Sequence, residues 1–211
     1  MISFDLSLYL VADQEFCRAS GLKEIVAAAI DGGVSMVQLR GARANLRGLL
    51  ADALTLRELT ERRGIPLIIN DHVDIALAAD ADGVHVGQAD MPVRFVRQLL
   101  GQEKIIGLSI THAGDIVDPE LALVDYVGLG PVFPTQSKVD AAPALGIEQF
   151  RAIRSLIDLP TVAIGGIGQQ NAGSVIAAQA DGIAVVSAIC SALDPRGAAA
   201  SLRQCIGEAR R

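Results

Sequence analysis

Residues 66 to 86, PLIINDHVDIALAADADGVHV, hold the pattern that decides the fold. Pro66 to Ile69 is a short apolar run bounded by turn formers, which reads as a strand. Val73 to Ala79 follows with a helical pattern, and Gly83 to Val86 is a second apolar run entered through a glycine turn. A strand, a short helix and another strand in succession make a βαβ unit, whose two strands run parallel.

The same alternation extends in both directions. Strands are expected at Leu6 to Val11, Val34 to Leu39, Ile105 to Leu108, Tyr126 to Leu129, Thr161 to Ile164 and Gly182 to Val186. Helical patterns fall at Gly21 to Asp31, Leu46 to Arg63, Val93 to Leu100, Asp118 to Leu123 (weakly), Ile147 to Ile157, Gln170 to Ala180 and Arg196 to Ala209. With the central unit these make eight strand-helix pairs in 211 residues, which predicts one α/β domain over 1–211, a (β/α)8 TIM barrel. A doubly wound open sheet is the alternative. The segments AAAIDGGVSMVQL, AADADGVHV and AAQADGIAVV repeat weakly, each running from helix end through a glycine turn into a strand.

Eighteen basic and twenty-four acidic residues give a net charge of −6, and the charges are scattered. That argues against a nucleic-acid groove and against a polybasic membrane surface. The opening MISFDLSLYLVAD has no positive leader and carries Asp5 inside its apolar stretch, so it reads as a first strand rather than a signal peptide. No apolar run approaches the ~20 residues that cross a bilayer. Cys17, Cys190 and Cys205 are odd in number and lack metal-ligand spacing, which suits a reducing cytoplasm and buried or inert thiols.

In a barrel of this kind chemistry belongs to the loops after the strands, where side chains from several strands converge. Gln38 and Arg40 follow the second strand, Asn70 and Asp71 the third, Asp90 the fourth, and Ser109 sits at the fifth. The sixth is followed by GPVFPTQSK, residues 130–138, the seventh by Gly165 and Gly166, and the eighth by Ser187. Asp71 and Asp90 read as helix caps or as two carboxylates sharing a hard divalent cation such as Mg²⁺ with phosphate oxygens. Arg40 reads as an ion-pair partner or as a phosphate grip, and Lys138 has the same two readings. Ser109 and Ser187 suit local backbone or a ligand equally. The glycines after strand seven and the turn after strand eight suggest a phosphate cup, with a tight structural turn as the plain alternative. His85 lies between two valines and His72 precedes an apolar residue, neither has a Ser or Cys partner beside it, and His112 lies in a bare THAG stretch, so no histidine is given a catalytic role.

The segments VQLR, IINDHVDIALAADADGVHVGQADMP, IIGLSIT, DYVGLGPVFPTQSK, VAIGGI and AVVSAI together resemble the thiamine-phosphate synthase family, also called thiamine-phosphate pyrophosphorylase, over almost the whole chain. The resemblance implies a TIM barrel that joins hydroxymethylpyrimidine diphosphate to thiazole phosphate with Mg²⁺, releasing pyrophosphate. It implies that Gln38, Arg40, Asn70, Ser109 and Lys138 hold the pyrimidine diphosphate and that Asp71 and Asp90 hold Mg²⁺. Thr135 and Ser137 would contact the thiazole phosphate, with Gly166, Val186 and Ser187 closing its cup. Arg40, Lys138 and Ser109 would carry the catalysis, and a homodimer is the implied assembly.

Two positions depart from the family. Its first motif runs Gln-Leu-Arg-x-Lys, and the Lys position here is Ala42. A lost charge-assisted hydrogen bond is typically worth roughly 1.5 to 3 kcal/mol, or about one to two powers of ten in affinity, unless Arg43 or Arg47 compensates. Ser137 stands where Thr is usual and keeps the hydroxyl. A related thiazole tautomerase would need a His in the strand-six loop, where Pro131 stands. A non-catalytic paralogue binding thiazole or thiamine phosphate is the third reading, and measurable pyrophosphate release would exclude it.

Overall fold

The computed structural model describes residues 4–17, 21–41, 45–137 and 141–211. Eight parallel strands close into a barrel in sequence order: β1 (Leu8–Asp13), β2 (Met36–Arg40), β3 (Leu67–Asn70), β4 (Gly83–Val86), β5 (Ile105–Ile110), β6 (Tyr126–Leu129), β7 (Thr161–Ile164) and β8 (Gly182–Val185). Between and after them run α1 (Leu22–Asp31), α2 (Leu46–Arg63), α3 (Val73–Ala78), α4 (Val93–Leu100), α5 (Asp118–Leu121), α6 (Gly146–Arg154), α7 (Gln169–Ala177), α8 (Ser187–Cys190) and α9 (Pro195–Ala209). This is the expected (β/α)8 TIM barrel, and β8 pairing with β1 excludes the open sheet.

The strands are buried over nearly their whole length because helices cover their outer face and side chains fill the interior, and Arg40, Asn70, Ser109 and Ile164 are the partly exposed exceptions. Local chemistry sets the helix ends. Asn45 caps α2 by accepting the Gly48 N–H at 3.0 Å, and Gly64 ends it in the left-handed conformation, φ 66°. Asp194 caps α9 through the Gly197 N–H at 3.0 Å, with Pro195 at the first helical position.

The weak sequence repeat has a physical origin at the N-terminal end of the barrel. Ser35, Asp82, Asp125 and Asp181 each stand immediately before an even-numbered strand. Their side-chain oxygens accept the N–H of Leu8 at 3.0 Å and of Leu67, Ile106 and Thr161 at 2.8 Å, all in odd-numbered strands. The three aspartates also pair with Arg57, Arg97 and Arg154 from α2, α4 and α6, at 3.2, 2.8 and 3.1 Å. Arg97 is buried, and it also donates to the carbonyls of Gly101, Lys104 and Leu123. These four ties fasten the closed end and leave the opposite end to function.

Strand bounds differ from expectation where function begins. β1 starts two residues later than expected and runs on to Asp13, and β2 runs on to Arg40, so Asp13 and Arg40 are register partners in the ladder. α8 was not foreseen, because four residues are too few to show a helical period. Cys17 and Cys190 are buried as expected, while Cys205 is half-buried. Among the described residues no helix is long and apolar enough to cross a membrane.

Candidate active site

A cavity of about 920 Å³ opens at the C-terminal end of the barrel. Alternate strand residues point into it, Tyr9, Val11 and Asp13 from β1 and Gln38 and Arg40 from β2 among them. Asn70, Asp71, Asp90 and Ser109 line it from the third, fourth and fifth strands and their loops. Thr135, Ser137, Gly166, Val186 and Ser187 line it from the other side. Every expected site residue within the described part of the chain therefore meets in one space. Lys138 lies outside the described residues, as do Ala42 and Arg43. Arg47 is exposed on α2 and is not among the residues that line the cavity.

Arg40 is held on two sides. Its Nε donates to Asp13 Oδ2 at 2.7 Å and its Nη2 donates to the Ser137 carbonyl, so the guanidinium plane is fixed between β1 and the loop after β6. Asp13 is itself set by accepting the Glu15 N–H at 2.9 Å and the Phe16 N–H at 3.3 Å. Arg40 is thus an ion-pair partner, but one at the cavity wall rather than on the outer surface. Orienting a planar fork in advance reduces the entropy lost when it grips an anion.

Asp71 and Asp90 are not the helix caps that a plain reading allows. His72 occupies the N-cap of α3 and Pro92 that of α4. Asp90 Oδ2 instead accepts the Gly87 N–H at 2.8 Å, which folds the loop after β4. Asp71 has φ 60°, a left-handed conformation that a residue with a β-carbon enters at a cost, and its N–H donates to the His85 carbonyl at 2.8 Å. Two hard oxygen donors on adjacent loops suit Mg²⁺, which takes one or two carboxylates and completes its shell with phosphate oxygens and water. Among the described residues there is no group of three or more His, Cys, Asp or Glu side chains to enclose a metal.

The far wall is made of backbone. Gly165 and Gly166 have φ 100° and 63°, and a β-carbon at Gly166 would lie 2.5 Å from the Pro134 carbonyl oxygen. The loop after β6 therefore lies directly on the loop after β7, with Val132 N–H bonded to Ile164 O at 2.8 Å and Phe133 N–H to Gly165 O at 3.0 Å. Ser187 begins α8 beside them. Glycine turns next to a helix start present N–H groups to an anion.

Sequence reasoning missed Tyr9 and His85, which line the cavity floor with the expected Gln38 and Ser109, and Tyr126, which lies buried beneath it. Gln38 Nε2 donates to Tyr9 Oη at 2.8 Å, and the Tyr9 and Tyr126 hydroxyls meet at 2.8 Å. Tyr126 Oη then meets His85 Nδ1 at 2.9 Å, and His85 Nε2 meets Ser109 Oγ at 2.9 Å. Burial pushes the Tyr9 phenol far up, and Tyr126 likewise, so both stay neutral. The signal in the sequence was a His between two valines in an expected strand, and the structure's register places it beside Asn70.

The chain matches a family model described as "Thiamine monophosphate synthase" over residues 8–189. It is 48% identical over 199 residues to a thiamine-phosphate synthase of Chloroflexus aurantiacus, covering 94% of this chain and 92% of the relative. It is 50% identical over 193 residues to a thiamine-phosphate synthase of Laribacter hongkongensis, covering 90% of each. A solved structure of a thiamine phosphate pyrophosphorylase from Pyrococcus furiosus superposes with a TM-score of 0.85 at 36% identity, covering 97% of this chain and 96% of that one.

Proposed function

Because the chain belongs to the thiamine-phosphate synthase family and is a transferase of that kind, we propose that its cavity joins hydroxymethylpyrimidine diphosphate to thiazole phosphate. The observation that carries this reading is the convergence of two carboxylates, a pre-oriented arginine and a glycine cup on one cavity. The products are thiamine phosphate and pyrophosphate. The bond between the exocyclic carbon of the pyrimidine and the diphosphate oxygen breaks, its electron pair leaving with pyrophosphate. The thiazole nitrogen supplies the pair for the new carbon-nitrogen bond, so no general base is required.

Gln38, Asn70 and Ser109 orient the pyrimidine diphosphate in this account, and Arg40 and Lys138 stabilise the negative charge that develops on departure. Thr135 and Ser137 contact the thiazole phosphate, and the N–H groups around Gly166, Val186 and Ser187 close on its oxygens. Asp71 and Asp90 would hold Mg²⁺, which when bound offsets the diphosphate charge. With a ready nucleophile, this chemistry asks for charge stabilisation at the leaving group, which is what the side chains supply.

The test is thiamine phosphate formation as a function of Mg²⁺ concentration. Turnover should require Mg²⁺, and Asp71→Asn and Asp90→Asn should each raise the concentration needed. Undiminished turnover in excess chelator would overturn the metal assignment.

A further inference from the structure

The five side chains at and beneath the cavity floor come from five strands, and their hydrogen-bond order is constrained. A phenol has one hydrogen to give. Tyr9 Oη accepts from Gln38 Nε2, and Tyr126 Oη, 2.8 Å away, is in place to take the hydrogen of Tyr9. The Tyr126 hydrogen is then left for His85 Nδ1 at 2.9 Å. A neutral imidazole that accepts at Nδ1 carries its proton at Nε2, and that proton points at Ser109 Oγ, 2.9 Å away.

We propose that these residues form a relay of single polarity in which His85 is a positioning residue. By donating Nε2–H to Ser109 Oγ, it turns the serine hydroxyl hydrogen into the cavity, where it donates to an acceptor atom of the bound ligand. The opposite polarity would turn the Gln38 amide over and draw the serine hydrogen onto the imidazole, leaving the cavity only lone pairs. In the synthase reading, on which this inference rests, the acceptor belongs to the pyrimidine diphosphate.

Two glycines make room for the relay. A β-carbon at Gly107 would lie 2.2 Å from Tyr126 Cζ and 2.4 Å from His85 Nδ1, and one at Gly128 would lie 3.0 Å from His85 Cε1. Gly107 is not at a positive φ, so close approach of the two rings, rather than backbone conformation, accounts for a glycine in mid-strand. The ring centroids of His85 and Tyr126 are 5.4 Å apart over it. Burial of both phenols keeps their hydrogens in place at neutral pH.

The deciding measurement is the side-chain nitrogen spectrum of the full chain labelled with ¹⁵N-histidine. There are three histidines, and loss of one set of signals in His85→Gln assigns His85. The expected result is an unprotonated Nδ1 and a protonated Nε2, with Tyr126→Phe abolishing that preference. Tyr126→Phe should also lower kcat by about two- to tenfold, the range for one neutral hydrogen bond, while leaving KM for thiazole phosphate unchanged. His85→Gln, whose amide still donates toward Ser109, should keep more of kcat than His85→Leu. A protonated Nδ1 in the unsubstituted protein, or a Tyr126→Phe variant with unchanged tautomer and kcat, would overturn the relay. If the unsubstituted protein made no product, the proposed reaction would fall, and the spectrum would still decide the polarity.

Discussion

Gly166→Ala tests the phosphate cup. The residue sits at φ 63°, where a β-carbon costs roughly 1 to 2 kcal/mol. That carbon would also lie 2.5 Å from the Pro134 carbonyl oxygen and 2.8 Å from Phe133 Cβ. Non-bonded atoms settle near 3.5 to 4.0 Å, so the loops after β6 and β7 must part by about 1 Å, and overpacking of this sort costs a further 1 to 3 kcal/mol or so. The stability loss should therefore be about 2 to 5 kcal/mol, visible as a lower Tm. A cup opened by that distance loses an N–H bond to a charged phosphate, worth roughly 1.5 to 3 kcal/mol, or about ten- to a hundredfold in affinity. Steady-state pyrophosphate release, varying one substrate at a time, should show KM rising for thiazole phosphate and holding for the pyrimidine diphosphate. A rise for the diphosphate instead, or no change in either KM, would refute the division of the cavity into two anion sites.

Asp13→Asn should remove the charge that orients Arg40 and raise KM for the pyrimidine diphosphate about tenfold, by loss of a charge-assisted bond; the same kinetic assay reads it. Asp125→Ala should cost roughly 3 to 5 kcal/mol in denaturant unfolding, because Arg97 is left buried without its carboxylate and the Ile106 N–H loses its acceptor. kcat of the folded fraction should hold, since these groups lie at the end of the barrel away from the cavity. Asp115 has a carboxyl below its ordinary value of 3.8: burial works against its ionisation, but bonds from the Thr111 N–H and hydroxyl and from the His112 N–H, with attraction from the His112 ring, outweigh it. A depressed folded pKa stabilises the fold above the unfolded value, and that contribution is lost as pH falls through the folded one. Acid unfolding of Asp115→Asn, followed by circular dichroism, should consequently show a weaker pH dependence below about pH 4.

The barrel was legible because each strand is a short apolar run and each helix before a strand stops at glycine or a small residue. Residues leaving those runs as polar exceptions, such as Arg40, Asn70 and Ser109, mark the cavity for the same reason. What stayed hidden was direction. A strand buried on both faces shows no alternation, so nothing in LYLVAD says that Tyr9 and Asp13 point inward while Leu8 and Leu10 face the helices. His85 was discounted for its apolar neighbours, yet those valines mark a position where a polar ring faces the barrel interior. The partner of Arg40 was missed because β1 and β2 pair across 27 residues of chain, a relation that register reveals and spacing does not.

The measurement that tests the account most directly is product formation by the unsubstituted protein from hydroxymethylpyrimidine diphosphate, thiazole phosphate and Mg²⁺, with Ala42→Lys assayed alongside. The account predicts thiamine phosphate and pyrophosphate in equal amounts from both proteins, with the lysine lowering KM for the diphosphate. Absence of both products from the unsubstituted protein, under conditions where Ala42→Lys turns over, would contradict it.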